Sequence, residues 1–202
     1  MAGARQIHVI DDDDAVRDSL GFLLEAAGFE VKSYDCGLTF LEARTGQETG
    51  CIVTDVRMPG ITGLELVVQL RQLGCKLPII VMTGHADVQL AVQAMKVGAH
   101  DFIEKPFDES ALLQTVETAL ARPISTNGDD SERAEAAQRI ESLSMRERQV
   151  LRGLVAGKPN KAIARDFGIS PRTVEVYRAN LMTKLQAGSL SEVVRMAVLA
   201  GE

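Results

Sequence analysis

Through the first 120 residues, short apolar runs alternate with longer stretches whose apolar positions recur at helical spacing. Ile7-His-Val-Ile10 reads as a strand that ends in four aspartates, Asp11 to Asp14. Over Ala15–Ala27, the residues Val16, Leu20, Leu23, Leu24 and Ala27 fall on one helical face, and Gly28 stops the helix. The same alternation predicts strands at Glu30–Tyr34, Cys51–Thr54, Pro78–Met82 and Asp101–Glu104. Helices are expected over Leu38–Arg44, Gly63–Leu73, Val88–Val97 and Glu109–Ala121. No hairpin turn separates successive strands. Five βα units in a row therefore imply an α/β, doubly wound, five-stranded parallel sheet with helices on both faces.

The pattern changes after residue 122. Arg122 to Ser131 is polar and turn-forming, the composition of a linker, and residues 132–142 extend it with a helical stretch. Beyond it only helical spacing remains, over Met145–Ala156, Asn160–Phe167, Pro171–Leu185 and Leu190–Ala200. The chain accordingly divides into residues 1–122, a partly helical linker at 123–139, and an all-α, four-helix domain at 140–202. Ser144 with Glu147 three positions later forms a capping-box pattern. The Gly168-Ile-Ser170 turn between two helices has helix-turn-helix spacing, with Pro171 in the first turn of the second helix. In that helix Val174, Val176 or Tyr177, Leu181 and Leu185 supply a core stripe. Arg172, Thr173, Glu175, Arg178, Ala179 and Lys184 are left for the outer surface.

Composition narrows the class. The 202 residues are 46% hydrophobic and 25% charged, enough apolar surface for a core. No apolar run approaches the ~20 residues that span a bilayer, so no membrane association is expected. Met1-Ala-Gly-Ala-Arg-Gln leads into the first strand without a signal-peptide pattern, and a cytoplasmic location is expected. Cys36, Cys51 and Cys75 are odd in number and lack CxxC spacing, which indicates neither a disulfide framework nor a zinc site. The net charge of −6 is unevenly spread. Residues 1–122 are strongly acidic and residues 140–202 mildly basic, which suggests two modules with different partners.

In an open doubly wound sheet, ligands bind outside the carboxyl ends of the strands. The polar residues there are Asp11 and Asp12, Asp55, Thr83 and Lys105, from four different strands. Carboxylates gathered at one strand edge repel one another and need a cation, and hard oxygen ligands suit Mg²⁺ (or Mn²⁺). Asp55 is then a candidate nucleophile for a phosphoryl group. Lys105 would neutralise the transferring group, and the Thr83 hydroxyl could donate to it. Asp13 and Asp14 read as cap or surface residues, His8 and His100 as structural. His85 either influences phosphoryl lifetime or is a loop histidine.

At these residues the sequence resembles the receiver domain of two-component response regulators, over residues 7–120. The resemblance rests on Asp11-Asp12, Asp55 with its Val-Arg-Met-Pro-Gly loop, Thr83-Gly84 and Lys105-Pro106-Phe107. It implies that Asp55 is the phosphorylation site and that Asp12 with Asp55 binds the metal. Asp11 would act through water or as a second acidic ligand, and the Arg57 carbonyl would complete the shell. It further implies that Thr83 and Lys105 contact the phosphoryl group, that Phe102 is the switch aromatic, and that the Lys105-Pro106 bond is cis. Asp11-Asp-Asp13 also matches the Asp-x-Asp of haloacid-dehalogenase-type phosphohydrolases, with Asp11 as nucleophile. That alternative lacks a later acidic pair on a strand end and leaves Asp55 and the basic tail unexplained.

In the tail, Leu-Ser-x-Arg-Glu, Asn160-Lys-x-Ile-Ala164, Ser170-x-x-Thr173-Val and Asn180-Leu-x-x-Lys184-Leu are similar to the LuxR/NarL-class DNA-binding domain. With the receiver, the whole resembles the FixJ group of that class. The resemblance makes Pro171–Leu185 the recognition helix, lying in the major groove. Expected DNA contacts are Asn160, Lys161, Arg172, Thr173, Glu175, Val176, Arg178, Ala179 and Lys184, most of them to phosphates. Glu175 replaces a common lysine and Tyr177 a common histidine. Glu175 could accept from a cytosine amino group or pair with a neighbouring arginine. The implied partners are a histidine kinase, FixL-like by the same resemblance, promoter DNA and RNA polymerase. Phosphorylation is expected to drive homodimerisation through Val88–Val97, the Phe102 strand and Glu109–Ala121, relieving mutual hindrance of the two domains. The result would be a non-enzymatic transcription regulator, an activator of microaerobic or nitrogen-fixation genes.

Overall fold

The computed structural model describes residues 5–84, 88–121 and 130–202. Five strands, β1 (Gln6–Ile10), β2 (Glu30–Tyr34), β3 (Cys51–Asp55), β4 (Ile79–Thr83) and β5 (Asp101–Glu104), form one parallel sheet in the order β2-β1-β3-β4-β5. Between and after them run α1 (Asp14–Ala26), α2 (Gly37–Ala43), α3 (Gly63–Gln72), α4 (Val88–Lys96) and α5 (Glu109–Ala121). The remaining helices are α6 (Asp130–Glu141), α7 (Met145–Val155), α8 (Asn160–Phe167), α9 (Pro171–Leu185) and α10 (Leu190–Leu199). Among the described residues there are two compact units: the sheet with α1, α2, α3 and α5, and a helical unit that holds α4 and α6–α10.

Strand alternation builds the sheet unit. Ile7, Val9, Cys51, Val53, Ile80 and Met82 cluster with Leu20 and Leu24 of α1 and Leu112 and Val116 of α5. His8 points to the other face, where its ring meets Phe40 of α2 edge-on at 5.4 Å between centroids. β3 and β4 are buried at every position, as strands covered on both faces must be, whereas the edge strand β2 is only partly covered. Each fully buried aliphatic side chain contributes roughly 1.5–3 kcal/mol of transfer free energy. α1 begins earlier than its apolar stripe because the Asp13 carboxylate accepts the backbone N–H of Ala15 and Val16. α3 starts with a full capping box between Thr62 and Glu65.

In the helical unit, Ile140, Leu151, Val155, Leu181, Leu185 and Val193 form one core cluster. Val150, Leu154, Ile163 and Val174 form a second, against which Tyr177 packs. Tyr177 therefore completes the α9 stripe, and Val176 faces solvent at 54% exposure. The predicted Ser144–Glu147 capping box opens α7. α8 ends on Gly168 in the left-handed region (φ 64°), which turns the chain into the Ser170 cap of α9. α9 ends on Gln186, also left-handed at φ 54°. The linker residues 122–129 lie outside the described residues, and α6 covers most of the helical stretch expected after them.

Candidate functional site

Strand register brings the distant acidic residues level. Ile10 lies opposite Thr54, so Asp11 and Asp55 follow at the same height on neighbouring strands. Asp55 is in register with Met82, and Thr83, one residue on, with Glu104. Lys105 is fixed just past β5, where its backbone N–H donates to the Thr83 carbonyl at 2.7 Å. Its ammonium then lies between two carboxylates, 2.9 Å from Asp11 Oδ2 and 2.6 Å from Asp55 Oδ1. Asp11 and Asp55 are 2% and 9% exposed, so both charges are largely removed from water. Burial alone would lower the Lys105 pKa, but its hydrogen bonds to Asp55 and Asp11 outweigh that, and the result is raised.

The surrounding backbone holds these groups in place. The Arg57 N–H donates to Asp55 Oδ2, and the Asp13 N–H donates to Asp11 Oδ1 at 3.0 Å. Gly63 is required where α3 starts: a Cβ there would stand 2.1 Å from the Asp55 carbonyl oxygen. Thr83 is 2% exposed, and among the described residues its hydroxyl makes only a long, 3.5 Å contact to the Gly84 carbonyl. The Lys105-Pro106 bond is cis. Sequence reasoning missed Arg17, whose Nη1 donates to the Asp11 carbonyl at 2.6 Å and which also pairs with Asp14. A cation one turn into α1 was its only signal.

Not every expected site residue is gathered. Asp12 is exposed, as is the Arg57 side chain, and Phe102 is half-buried on β5. His85 lies outside the described residues. No group of three or more His, Cys, Asp or Glu is assembled in metal-holding geometry among the described residues. Two converging carboxylates nevertheless fit Mg²⁺, which usually takes one or two from protein and fills its octahedron with water and phosphate oxygens.

On the helical unit, Arg172, Glu175, Val176, Ala179 and Lys184 of α9 are exposed, Thr173 and Arg178 half-exposed, and Lys161 of α8 exposed. Glu175, left open between two roles, has no ion pair among the described residues. Arg178 Nη1 donates to Asn160 Oδ1 at 3.0 Å. Lys184 Nζ lies 2.8 Å from Glu147 Oε2, so its charge already has a partner within the unit. No described helix is long and apolar enough to cross a membrane.

Comparison with known proteins identifies the family of each part of the chain. Residues 7–117 match the response regulator receiver domain, and residues 141–197 match the luxR family of bacterial regulatory proteins. The transcriptional regulatory protein FixJ of Azorhizobium caulinodans is 58% identical over 201 residues, covering 100% of this chain and 95% of the relative. FixJ of Bradyrhizobium diazoefficiens is 53% identical, covering 100% of this chain and 98% of the relative. A crystal structure of full-length FixJ from B. japonicum, 53% identical, covers 97% of each chain with a TM-score of 0.56. None of these supports a phosphohydrolase built on Asp11. The chain belongs to the FixJ-type DNA-binding response regulators of two-component systems, with a receiver domain followed by a luxR-family DNA-binding domain rather than an enzyme's catalytic domain.

Proposed function

We propose that Asp55 is the phosphoacceptor. A carboxylate oxygen of Asp55 attacks the phosphorus of a kinase phosphohistidine; a P–O bond forms, the P–N bond breaks, and the imidazole leaves. The observation that carries this reading is the convergence of Asp55 and Asp11 on one lysine at the carboxyl edge of the sheet. Asp11, Asp12, Asp55 and the Arg57 carbonyl would hold Mg²⁺ (or Mn²⁺), which supplies charge neutralisation for the transferring group. Lys105 then shifts from the free carboxylate to a phosphoryl oxygen, and the Thr83 hydroxyl, weakly engaged, turns to donate to another. Added charge of about −1.5 to −2 biases a switch that includes Phe102.

The functional division is residues 1–122 for the receiver, 123–139 for the linker and 140–202 for DNA binding. A histidine kinase and DNA are the partners that this pairing of domains implies. We infer a FixL-like kinase, dimerisation on phosphorylation through α4, β5 and α5, and activation of transcription with RNA polymerase in the cytoplasm. Similarity to the FixJ proteins supports microaerobic or nitrogen-fixation genes as targets. A dimer places two α9 helices on two half-sites. The test is intact mass after incubation with acetyl phosphate and Mg²⁺. One alkali-labile phosphoryl group on the wild type and none on Asp55→Asn is expected. An adduct that survives in Asp55→Asn would overturn the assignment.

A further inference from the structure

The cations on α8 and α9 are not equivalent. Lys161 and Arg172 are exposed and have no carboxylate partner among the described residues. Lys184 is committed elsewhere. Its partner Glu147 is 4% exposed and is fixed from a second side, where the Ser144 N–H donates to the same Oε2 at 2.8 Å. A buried carboxylate stripped of its counter-ion is strongly destabilising, so diverting Lys184 to a phosphate would strand the Glu147 charge. Arg178 is held differently. Asn160 Oδ1 accepts one of its five N–H donors and leaves most of the planar fork available. Asn160 itself is half-buried at the first position of α8.

We propose, resting on the DNA-binding assignment above, that Lys184 is a structural cation withheld from DNA by Glu147. On the same geometry, Asn160 is a positioning residue that acts on DNA through Arg178. Phosphate neutralisation on this surface falls to Lys161, Arg172 and Arg178. Two of the contacts expected from sequence therefore become supports of α9, Asn160 at its middle through Arg178 and Lys184 near its C-terminal end. The signal that separates them is whether the charge already has a partner inside the unit.

Counterion release gives a direct readout, because each phosphate neutralised adds about 0.9 to the slope of log affinity against log salt. The probe is a random-sequence DNA duplex, titrated with the full chain before and after acetyl phosphate and Mg²⁺. Lys161→Ala and Arg172→Ala should each reduce the slope by about 0.9 per bound protomer. Lys184→Met should leave the slope unchanged while lowering the thermal midpoint. If that variant fails to fold, the double variant Glu147→Gln, Lys184→Met removes both charges, keeps a capping amide and should bind with the wild-type slope. Asn160→Ala should weaken binding, yet add nothing when Arg178 is already alanine. A slope loss of about 0.9 in the Glu147→Gln, Lys184→Met protein would overturn the sequestration of Lys184. Additive losses from Asn160→Ala and Arg178→Ala would overturn the positioning role. If the wild type binds the duplex at no salt concentration in either state, the DNA-binding assignment fails, and this inference with it.

Discussion

The ammonium of Lys105 does for Asp11 and Asp55 what water would do if they were exposed. Removing it leaves two buried carboxylates facing each other with only the backbone N–H groups of Asp13 and Arg57 to offset their charge. Lys105→Met is expected to cost the sheet unit about 2–4 kcal/mol, below the full cost of breaking a buried pair because the lysine side chain is 28% exposed. Urea unfolding at neutral pH measures this, and Asp11→Asn added to Lys105→Met should recover part of the loss. An unchanged midpoint in the single variant would mean that the clasp contributes nothing to stability. The residues of this clasp were legible because each ends a strand or follows one, a position that periodicity locates. Arg17 was not, because its contact is to a backbone carbonyl whose direction depends on how the Asp11–Asp14 turn folds.

Helix boundaries followed local chemistry, and local chemistry is what a sequence displays. The Ser144–Glu147 box and the Gly168-Ile-Ser170 turn each mark an end by residue type alone, and the Thr62–Glu65 box that the structure shows at α3 is of the same local kind. Contacts between helices were hidden, since Glu147 and Lys184 stand 37 positions apart and share no pattern. For the same reason Tyr177 and Val176 could not be told apart as core residues until α9 met its neighbours. Gln186 breaks the capping rule, closing α9 in a left-handed conformation that favours glycine. Gln186→Gly should stabilise the helical unit by about 0.5–1 kcal/mol, seen as a higher thermal midpoint. Burial of Glu147 would raise its pKa, but the Lys184 and Ser144 hydrogen bonds prevail and lower it from 4.5. Its contribution is thus present above pH 4.5 and lost as pH falls through the lower, folded-state value. Glu147→Gln should flatten that acid limb in thermal unfolding scans.

At the scale of the molecule, the two units meet acid differently. His8, 1% exposed beside Tyr34 and Phe40, has its pKa lowered from 6.5 chiefly by burial. The Thr49 carbonyl and Glu48 oppose that shift, and Lys32 reinforces it. An unfolded chain therefore takes up a proton at His8 that the folded sheet unit resists. Stability is full above pH 6.5 and declines as pH falls toward the folded-state value, a window above that of Glu147. Calorimetry from pH 7 downward should show the sheet unit weakening first, and His8→Phe should remove that early loss. A decline that starts in both units together, below pH 4.5, would contradict it.

The Lys105 clasp also has a consequence for biosynthesis. Its two ion pairs close over 94 and 50 positions of chain, so Asp55, the proposed nucleophile, is translated long before its cation. A nascent chain that has exposed Asp55 but not β5 carries an aspartate without an acceptor site. Contacts of such sequence separation form late, after the costly loops between them have closed. On the proposed role of Asp55, competence to receive a signal would certify that the sheet has been completed, and fragments that stop short of Lys105 are expected to make poor decoys for the kinase.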